Sequence, residues 1–269
     1  MVLGKRVRLN RIFSSPSGRV VTVAVDHPIA FSYDVPAELH RMRELLPRIV
    51  EGRPDAITMQ KGGAEHYFEP FAGRVPLIVQ TNFFIPGILN RDYQIGFLED
   101  VLRLGADAVA MTVTVGTQHQ GELLAMLGRL VRDAAPLGLP VVTHIYPKGE
   151  LVPEGEQNSL RWCLYAARAG AEVGVDLVKT NYTGSPETFR RVVEACPVPV
   201  VVAGGPRLGT TREVLEMARG VVEAGGAGLT VGRNVWAAKD VPGTIRALKA
   251  VVHDGASVES ALGLLRDEG

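Results

Sequence analysis

The amino-acid sequence predicts a (β/α)8 barrel, and three observations carry that expectation. Short apolar, β-branched runs recur eight times along the chain. Helix-like stretches separate them, which implies parallel strands joined by right-handed crossovers. The 269 residues suit one barrel of this kind, which needs about 250.

The first strand is expected at Arg19–Asp26, where three valines precede Ala24-Val25, and a helix follows at Pro36–Glu51. The second is Asp55–Met59, followed by Gly62–Phe71, whose periodicity is the poorest in the chain. Pro76–Thr81 carries Leu-Ile-Val and leads to a helix at Tyr93–Leu104, stopped by Gly105. Ala108–Val113 precedes the helix His119–Leu137, stopped by Gly138. Pro140–Tyr146 precedes Glu156–Gly174. Val175–Thr180 precedes Ser185–Ala195, where Ser185-Pro186-Glu187 reads as a cap with proline at the first helical position. Val198–Ala203 precedes Thr210–Ala224, and Ala227–Gly232 precedes Val241–His253. A last amphipathic stretch, Val258–Arg266, sets Leu262 and Leu265 on one face. This C-terminal helix, near 257–267, is expected to cover a barrel end or to meet another copy. No linker, repeat or low-complexity tract divides residues 1–269, so one domain is expected. A doubly wound sheet would announce a glycine fingerprint after its first strand, and Asp26-His27-Pro28 stands there instead.

Composition narrows the function. Lys+Arg and Asp+Glu balance at 29 each, so neither a nucleic-acid footprint nor a polybasic membrane patch is present. No apolar run approaches the length of a membrane span. Two cysteines, Cys163 and Cys196, give no disulfide framework and point to a reduced, cytoplasmic setting.

Barrel enzymes place their chemistry at the C-terminal ends of strands. Those ends bring Asp26, Tyr146 and Lys179 to one mouth. Lys179 follows the mostly apolar Val175-Asp176-Leu177-Val178. A dry wall lowers an amine's pKa and frees its lone pair, which is what an imine-forming lysine needs. Lys61, beside Gly62-Gly63, and Lys148, before Gly149-Glu150, are expected in wetter loops. The last two strand ends carry Gly204-Gly205 and Gly232-Arg233, where phosphate-binding barrels close backbone N–H groups on an anion. Arg233 adds a charged fork suited to phosphate. Asp26 is a carboxylate whose expected partner is Lys179, Lys148 or Lys61, and it can move a carbinolamine proton. Tyr146 can donate or accept one at a substrate oxygen. The six histidines form no HxH or HExxH pattern, but His27 and His144 are both expected to face the mouth, which leaves a divalent-metal aldolase or hydrolase as a further reading.

These motifs together resemble the archaeal-type class I aldolases. That family holds fructose-bisphosphate aldolase and 2-amino-3,7-dideoxy-D-threo-hept-6-ulosonate synthase. The resemblance spans nearly the whole length. It rests on residues 8–13 (Arg-Leu-Asn-Arg-Ile-Phe), Asp26-His27, Tyr146-Pro147-Lys148-Gly149, residues 178–184 (Val-Lys-Thr-Asn-Tyr-Thr-Gly), Ala203-Gly204-Gly205-Pro206 and Val231-Gly232-Arg233-Asn234. It implies that Lys179 forms an imine with a ketone, that Tyr146 donates a proton and that Asp26 accepts one. Gly204, Gly205, Gly232 and Arg233, with Lys148 and His27, would bind substrate and its phosphate. It implies a phosphorylated sugar as substrate, a homo-oligomer, and no cofactor or metal.

Residues 8–13 and Val200–Pro206 look closer to the heptulosonate branch, and Val235-Trp236 to the fructose-bisphosphate branch. A sugar-phosphate binder without turnover is the reading from another class. Three positions depart from the family pattern. Pro28 replaces a glycine, Lys148 replaces an arginine, and the loop Thr81–Gly87 carries Phe83-Phe84. The phenylalanines suggest either a less polar acceptor side or simple packing.

Overall fold

The computed structural model describes residues 2–29, 34–85 and 88–266, with the backbone alone described for 84, 85 and 88–91. The chain opens with helix α1, Leu3–Ile12, and strand β1, Val20–Ala24, follows. Every residue of β1 is buried, because a barrel strand has side chains facing the lumen on one side and the helical shell on the other. Helix α2, Met42–Glu51, β2, Ala56–Gln60, and α3, Lys61–Tyr67, form the second unit. Strand β3, Leu77–Gln80, is followed by a hairpin of β4, Asn82–Ile85, and β5, Ile88–Gln94, then by α4, Leu98–Arg103. Next come β6, Ala108–Val115, α5, Gln120–Ala134, β7, Val141–Pro147, and α6, Leu160–Val173. The last units are β8, Leu177–Thr180, α7, Pro186–Ala195, β9, Val200–Ala203, α8, Thr211–Glu223, and β10, Gly228–Val231. A short α9, Arg233–Trp236, α10, Val241–Asp254, and α11, Val258–Leu262, complete the described chain.

Eight strands close a parallel barrel in the order β1-β10-β9-β8-β7-β6-β3-β2. All eight expected strands are present. The helix expected at Tyr93–Leu104 is corrected. Tyr93 and Gln94 end the hairpin, since Ile95 and Gly96 both donate their N–H to the Thr81 carbonyl and pull the chain back to the barrel. The helix starts only at Leu98, with Asp100 accepting the Phe97 N–H. The C-terminal helix is present as α11; the last residue of its expected span, 267, lies outside the described residues.

Two apolar cores result. One fills the lumen with Val20, Ala56, Ile78, Ala108, Val142, Leu177 and Val201, and Ile12 of α1 plugs its lower end. The other lies between strands and helices. The lower rim is closed by aspartates that precede strands. Asp55 accepts from Val21 N (2.6 Å), Lys249 Nζ (2.7 Å) and His253 Nε2 (2.8 Å). Asp107 takes Leu77 N (3.4 Å) and Arg11 (3.1 Å), and Asp176 takes Val141 N (2.9 Å) and Lys5 (2.9 Å). Arg8 donates to the Gly138 carbonyl at 3.0 Å. Helix α1 is therefore tied across the lower rim by charge, not by an apolar face. Among the described residues no helix is long and apolar enough to cross a membrane.

Candidate active site

At the upper end, Thr112, His144 and Lys179 stand in register on β6, β7 and β8 and share a cavity of about 460 Å³. That volume suits a small sugar phosphate. All nine residues singled out in the sequence line this cavity: Asp26, His27, Tyr146, Lys148, Lys179, Gly204, Gly205, Gly232 and Arg233.

Lys179 is only 5% exposed. Burial lowers its pKa to about 8, against the raising influence of Asp26. At neutral pH about a tenth of such an amine is uncharged, where an ordinary lysine would have well under a thousandth. Tyr146, also buried, is pushed well above the usual phenol range by burial and by Asp26, so it keeps its proton. Asp26 sits 3.4 Å from His27 Nδ1 and 4.0 Å from His144 Nδ1. Burial lowers the His27 pKa to about 4 and holds His144 well below its ordinary value. Both imidazoles are therefore neutral at pH 7, and His27 offers a hydrogen bond to an anion rather than a charge. Among the described residues the charge partners of Asp26 within 4 Å are these two rings; Lys179 reaches it electrostatically, and Lys61 is bound elsewhere, to Asp100 at 3.0 Å.

Two lysine expectations change. Lys61 opens α3 rather than lying in a loop. Lys148 is half-buried, with Nζ 5.0 Å from the centre of the Tyr146 ring, and is not in a wet loop. Burial, Arg233 and Lys179 bring its pKa to about 8 as well, with Asp92 of the hairpin opposing them. Asp92 is itself raised to about 7 by burial, against hydrogen bonds from Thr114. Lys179 differs from Lys148 by its deeper burial and by its place among Asp26 and His144.

The two glycine loops face this group. Gly205 has φ +67°, a left-handed conformation that a side chain would strain. Gly232 is required by proximity, since a Cβ there would meet the His27 ring at 2.6 Å and the Ala24 carbonyl at 3.0 Å. The Gly204 N–H is engaged by the Thr230 carbonyl at 3.1 Å, so the first glycine shapes the loop and does not offer a donor. Arg233 is partly buried, which lowers its pKa, and its Nε has no hydrogen-bond partner among the described residues.

Sequence reasoning missed the tie between the loops. Asn234 Nδ2 donates to the Gly204 (2.7 Å) and Pro206 (3.0 Å) carbonyls, while its Oδ1 accepts from Leu208 N at 2.8 Å. An asparagine beside a Gly-Arg pair was visible, but its partners lie some 30 residues away. Gln60 was visible as the end of the second strand, but Gln80, Asn82 and Thr112, which line the cavity with it opposite the glycine loops, were missed. Phe83 lines it too, packed on Tyr93 at 6.4 Å; the Phe84 side chain and positions 86–87 lie outside the described residues. Pro28 falls in a single 3-10 turn, His27–Ile29.

Residues 20–238 match the pattern of the DeoC/LacD family aldolases. The chain belongs to that family. It is 35% identical over 268 residues to a 2-amino-3,7-dideoxy-D-threo-hept-6-ulosonate synthase of Halobacterium salinarum, covering 96% of this chain and 95% of that protein. It is 35% identical over 213 residues to the class 1 fructose-bisphosphate aldolase of Thermoproteus tenax, covering 78% and 79%. Among solved structures it is similar to an archaeal fructose-1,6-bisphosphate aldolase whose catalytic lysine is covalently bound to the carbinolamine intermediate of its substrate. That match has a TM-score of 0.83 at 32% identity and covers 93% of this chain and 99% of the other.

Proposed function

We propose that this family member is a Schiff-base aldolase of a phosphorylated ketose, similar in reaction to fructose-bisphosphate aldolase. The observation that carries the reading is Lys179, a buried amine with its pKa lowered to about 8, sharing one cavity with the Gly205 and Gly232-Arg233 loops. Its neutral nitrogen attacks the ketone carbon, and loss of water gives a protonated imine. Asp26 accepts the proton of the hydroxyl on the carbon being released. The carbon–carbon bond then breaks toward the imine, leaving an enamine and an aldehyde. Tyr146, held protonated, gives the proton that the carbinolamine oxygen needs to leave as water. Arg233 and Lys148 bind the phosphate, whose binding energy orients the reacting carbons from a distance.

Borohydride reduction with dihydroxyacetone phosphate, followed by mass spectrometry, tests this. A reduced adduct on Lys179 is expected. Unmodified protein would instead support a sugar-phosphate binder without turnover. The second reading, a transaldolase-like heptulosonate synthase, is favoured by the near-complete coverage of the Halobacterium salinarum relative. A synthase would hold its enamine until a second aldehyde arrived. Release of free dihydroxyacetone phosphate from fructose 1-phosphate or fructose 1,6-bisphosphate, with no added acceptor, separates the two: an aldolase cleaves at least one of them and a synthase neither.

A further inference from the structure

Opposite the glycine loops the cavity ends in a set of uncharged amides. In a ring of eight strands, β3 and β6 stand across from β9 and β10, and β2 stands across from β8. A substrate gripped at Arg233 and bonded at Lys179 therefore extends toward Gln60 of β2, Gln80 of β3, Asn82 of β4 and Thr112 of β6.

Backbone groups fix how these amides are turned. The Thr112 N–H donates to Asn82 Oδ1 at 2.7 Å, and the Thr112 carbonyl accepts from Asn82 Nδ2 at 2.7 Å. The backbone N–H only donates and the carbonyl only accepts, so Asn82 has a single consistent orientation. Gln80 must then present its Nε2 to Asn82 Oδ1, at 2.7 Å, and to Thr112 Oγ1, at 2.9 Å. Gln60 presents its Nε2 to the Asn82 carbonyl at 3.2 Å. The two remaining amide oxygens, Gln60 Oε1 and Gln80 Oε1, are buried without a hydrogen-bond partner among the described residues. Gln80 is 2% exposed. Buried acceptors are normally satisfied, so two together in one cavity wall call for donors from a ligand.

We infer that Gln60 and Gln80 select the second substrate of the aldol reaction, an unphosphorylated aldehyde whose hydroxyl groups donate to their two free amide oxygens. The inference rests on the Schiff-base reading and adds the chemistry of the acceptor. A phosphate would bring only acceptors to these oxygens. Nor does an uncommitted described cation wait there: Lys61 is engaged by Asp100 at 3.0 Å, and Lys148, which follows β7 beside the hairpin, is held between Asp92 and the Tyr146 ring. Phe83, packed on Tyr93, lines the same cavity, so the apolar ring expected on the acceptor side stands beside these hydrogen-bonding groups.

The test couples dihydroxyacetone phosphate with three aldehydes: glyceraldehyde, glyceraldehyde 3-phosphate and propanal. A site that hydrogen-bonds a hydroxyl rejects the analogue lacking it, so kcat/KM for glyceraldehyde should exceed that for propanal by at least about 100-fold. The phosphate of glyceraldehyde 3-phosphate should confer no gain. Gln60→Met and Gln80→Met should each shrink the glyceraldehyde-to-propanal ratio below about tenfold. Borohydride trapping of dihydroxyacetone phosphate on Lys179 in each variant reports an intact fold and imine site. A tenfold preference for the phosphorylated aldehyde, or a ratio unmoved in both variants while trapping persists, would overturn the inference and leave the imine reading standing. Absence of any trapped adduct in the parent protein would overturn both.

Discussion

The two ends of this barrel treat charge in opposite ways. At the lower end, Asp55, Asp107 and Asp176 each accept a backbone N–H from the neighbouring strand and pair with a cation from α1 or α10. At the upper end, three cations, Lys148, Lys179 and Arg233, are enclosed together with Asp26 and Asp92 as the nearby carboxylates, and burial lowers the pKa of all three. The lower arrangement stabilises the fold. The upper one opposes folding and gains function, since cations short of counter-charges attract an anion and a depressed amine is nucleophilic. Substitutions at the two ends should therefore have opposite signatures.

The largest contrast is expected at Lys179. Lys179→Met removes the only nitrogen proposed to bond substrate, so turnover should fall by about 10⁴-fold or more, measured as ketose cleavage. Phosphate-ligand affinity should stay within about tenfold, because the grip lies on other strands. Stability should not fall. A buried lysine whose folded pKa is about 8 costs roughly 3 kcal/mol while it is charged in both states. That cost is complete below the folded value and disappears as pH rises toward the unfolded value near 10.4. The variant should melt no lower than the parent at pH 7, and the parent should close any gap as pH approaches 10. A melting point well below the parent's would show that Lys179 is a structural cation.

Asp55→Asn should do the reverse, costing about 3 kcal/mol in denaturant unfolding with the trapping reaction at the upper end intact. Burial alone would raise the Asp55 pKa, but His253, Lys249 and the Val21 N–H outweigh it and hold the carboxyl below its ordinary value. The stability it contributes is present above the unfolded carboxyl value, about 4, and is lost as pH falls through the lower folded one. The difference between parent and variant should therefore shrink on acidification below pH 4. A difference independent of pH would place the effect in packing rather than charge.

The third expectation concerns pH at the upper end alone. Borohydride trapping on Lys179 should rise about tenfold per unit below pH 8 and level off above it, following the free amine. Asp26 raises the Lys179 pKa, so Asp26→Asn should move the midpoint down, by about one unit. Trapping at pH 7 should then speed up while cleavage slows by about 100-fold, because the proton acceptor is gone. A midpoint that rises would mean that Asp26 does not face the amine.

The same contrast explains what the sequence disclosed. Barrel strands are buried on both faces, so β1 or β6 reads as an apolar run interrupted only by threonine, and all eight were legible. Residues at strand ends were legible too, because chain order alone sends Asp26, Tyr146 and Lys179 to one mouth. Ties between distant segments were not. Helix α1 buries little besides Ile12, and its cations find Asp107 and Asp176 about 100 and 170 residues away, so no local pattern marks it. The hairpin of β4 and β5 was hidden because its return strand runs into a segment with helix-like spacing. Lys148 looked wet from Gly149-Glu150, yet the Tyr146 ring and the hairpin's Asp92 enclose it. The Gln60 and Gln80 amides depend on cross-strand hydrogen bonds that carry no sequence signature.

The smallest effect tests whether α1 is a sum of weak ties. Lys5 and Asp176 are each about 15% exposed and meet at 2.9 Å, and Arg11, at 63%, is largely in solvent. Pairs of this kind contribute up to about 1 kcal/mol. Lys5→Ala should therefore cost about 1 kcal/mol in denaturant unfolding and Arg11→Ala less, with the losses adding in the double variant because their partners are separate. Asp176→Ala should cost more than Lys5→Ala, since it also strands the Val141 N–H, which now donates to that carboxylate at 2.9 Å. Equal losses for Lys5→Ala and Asp176→Ala would assign all the stabilisation to the ion pair. The expected inequality assigns part of it to the strand N–H, the element shared by all three aspartates at this end.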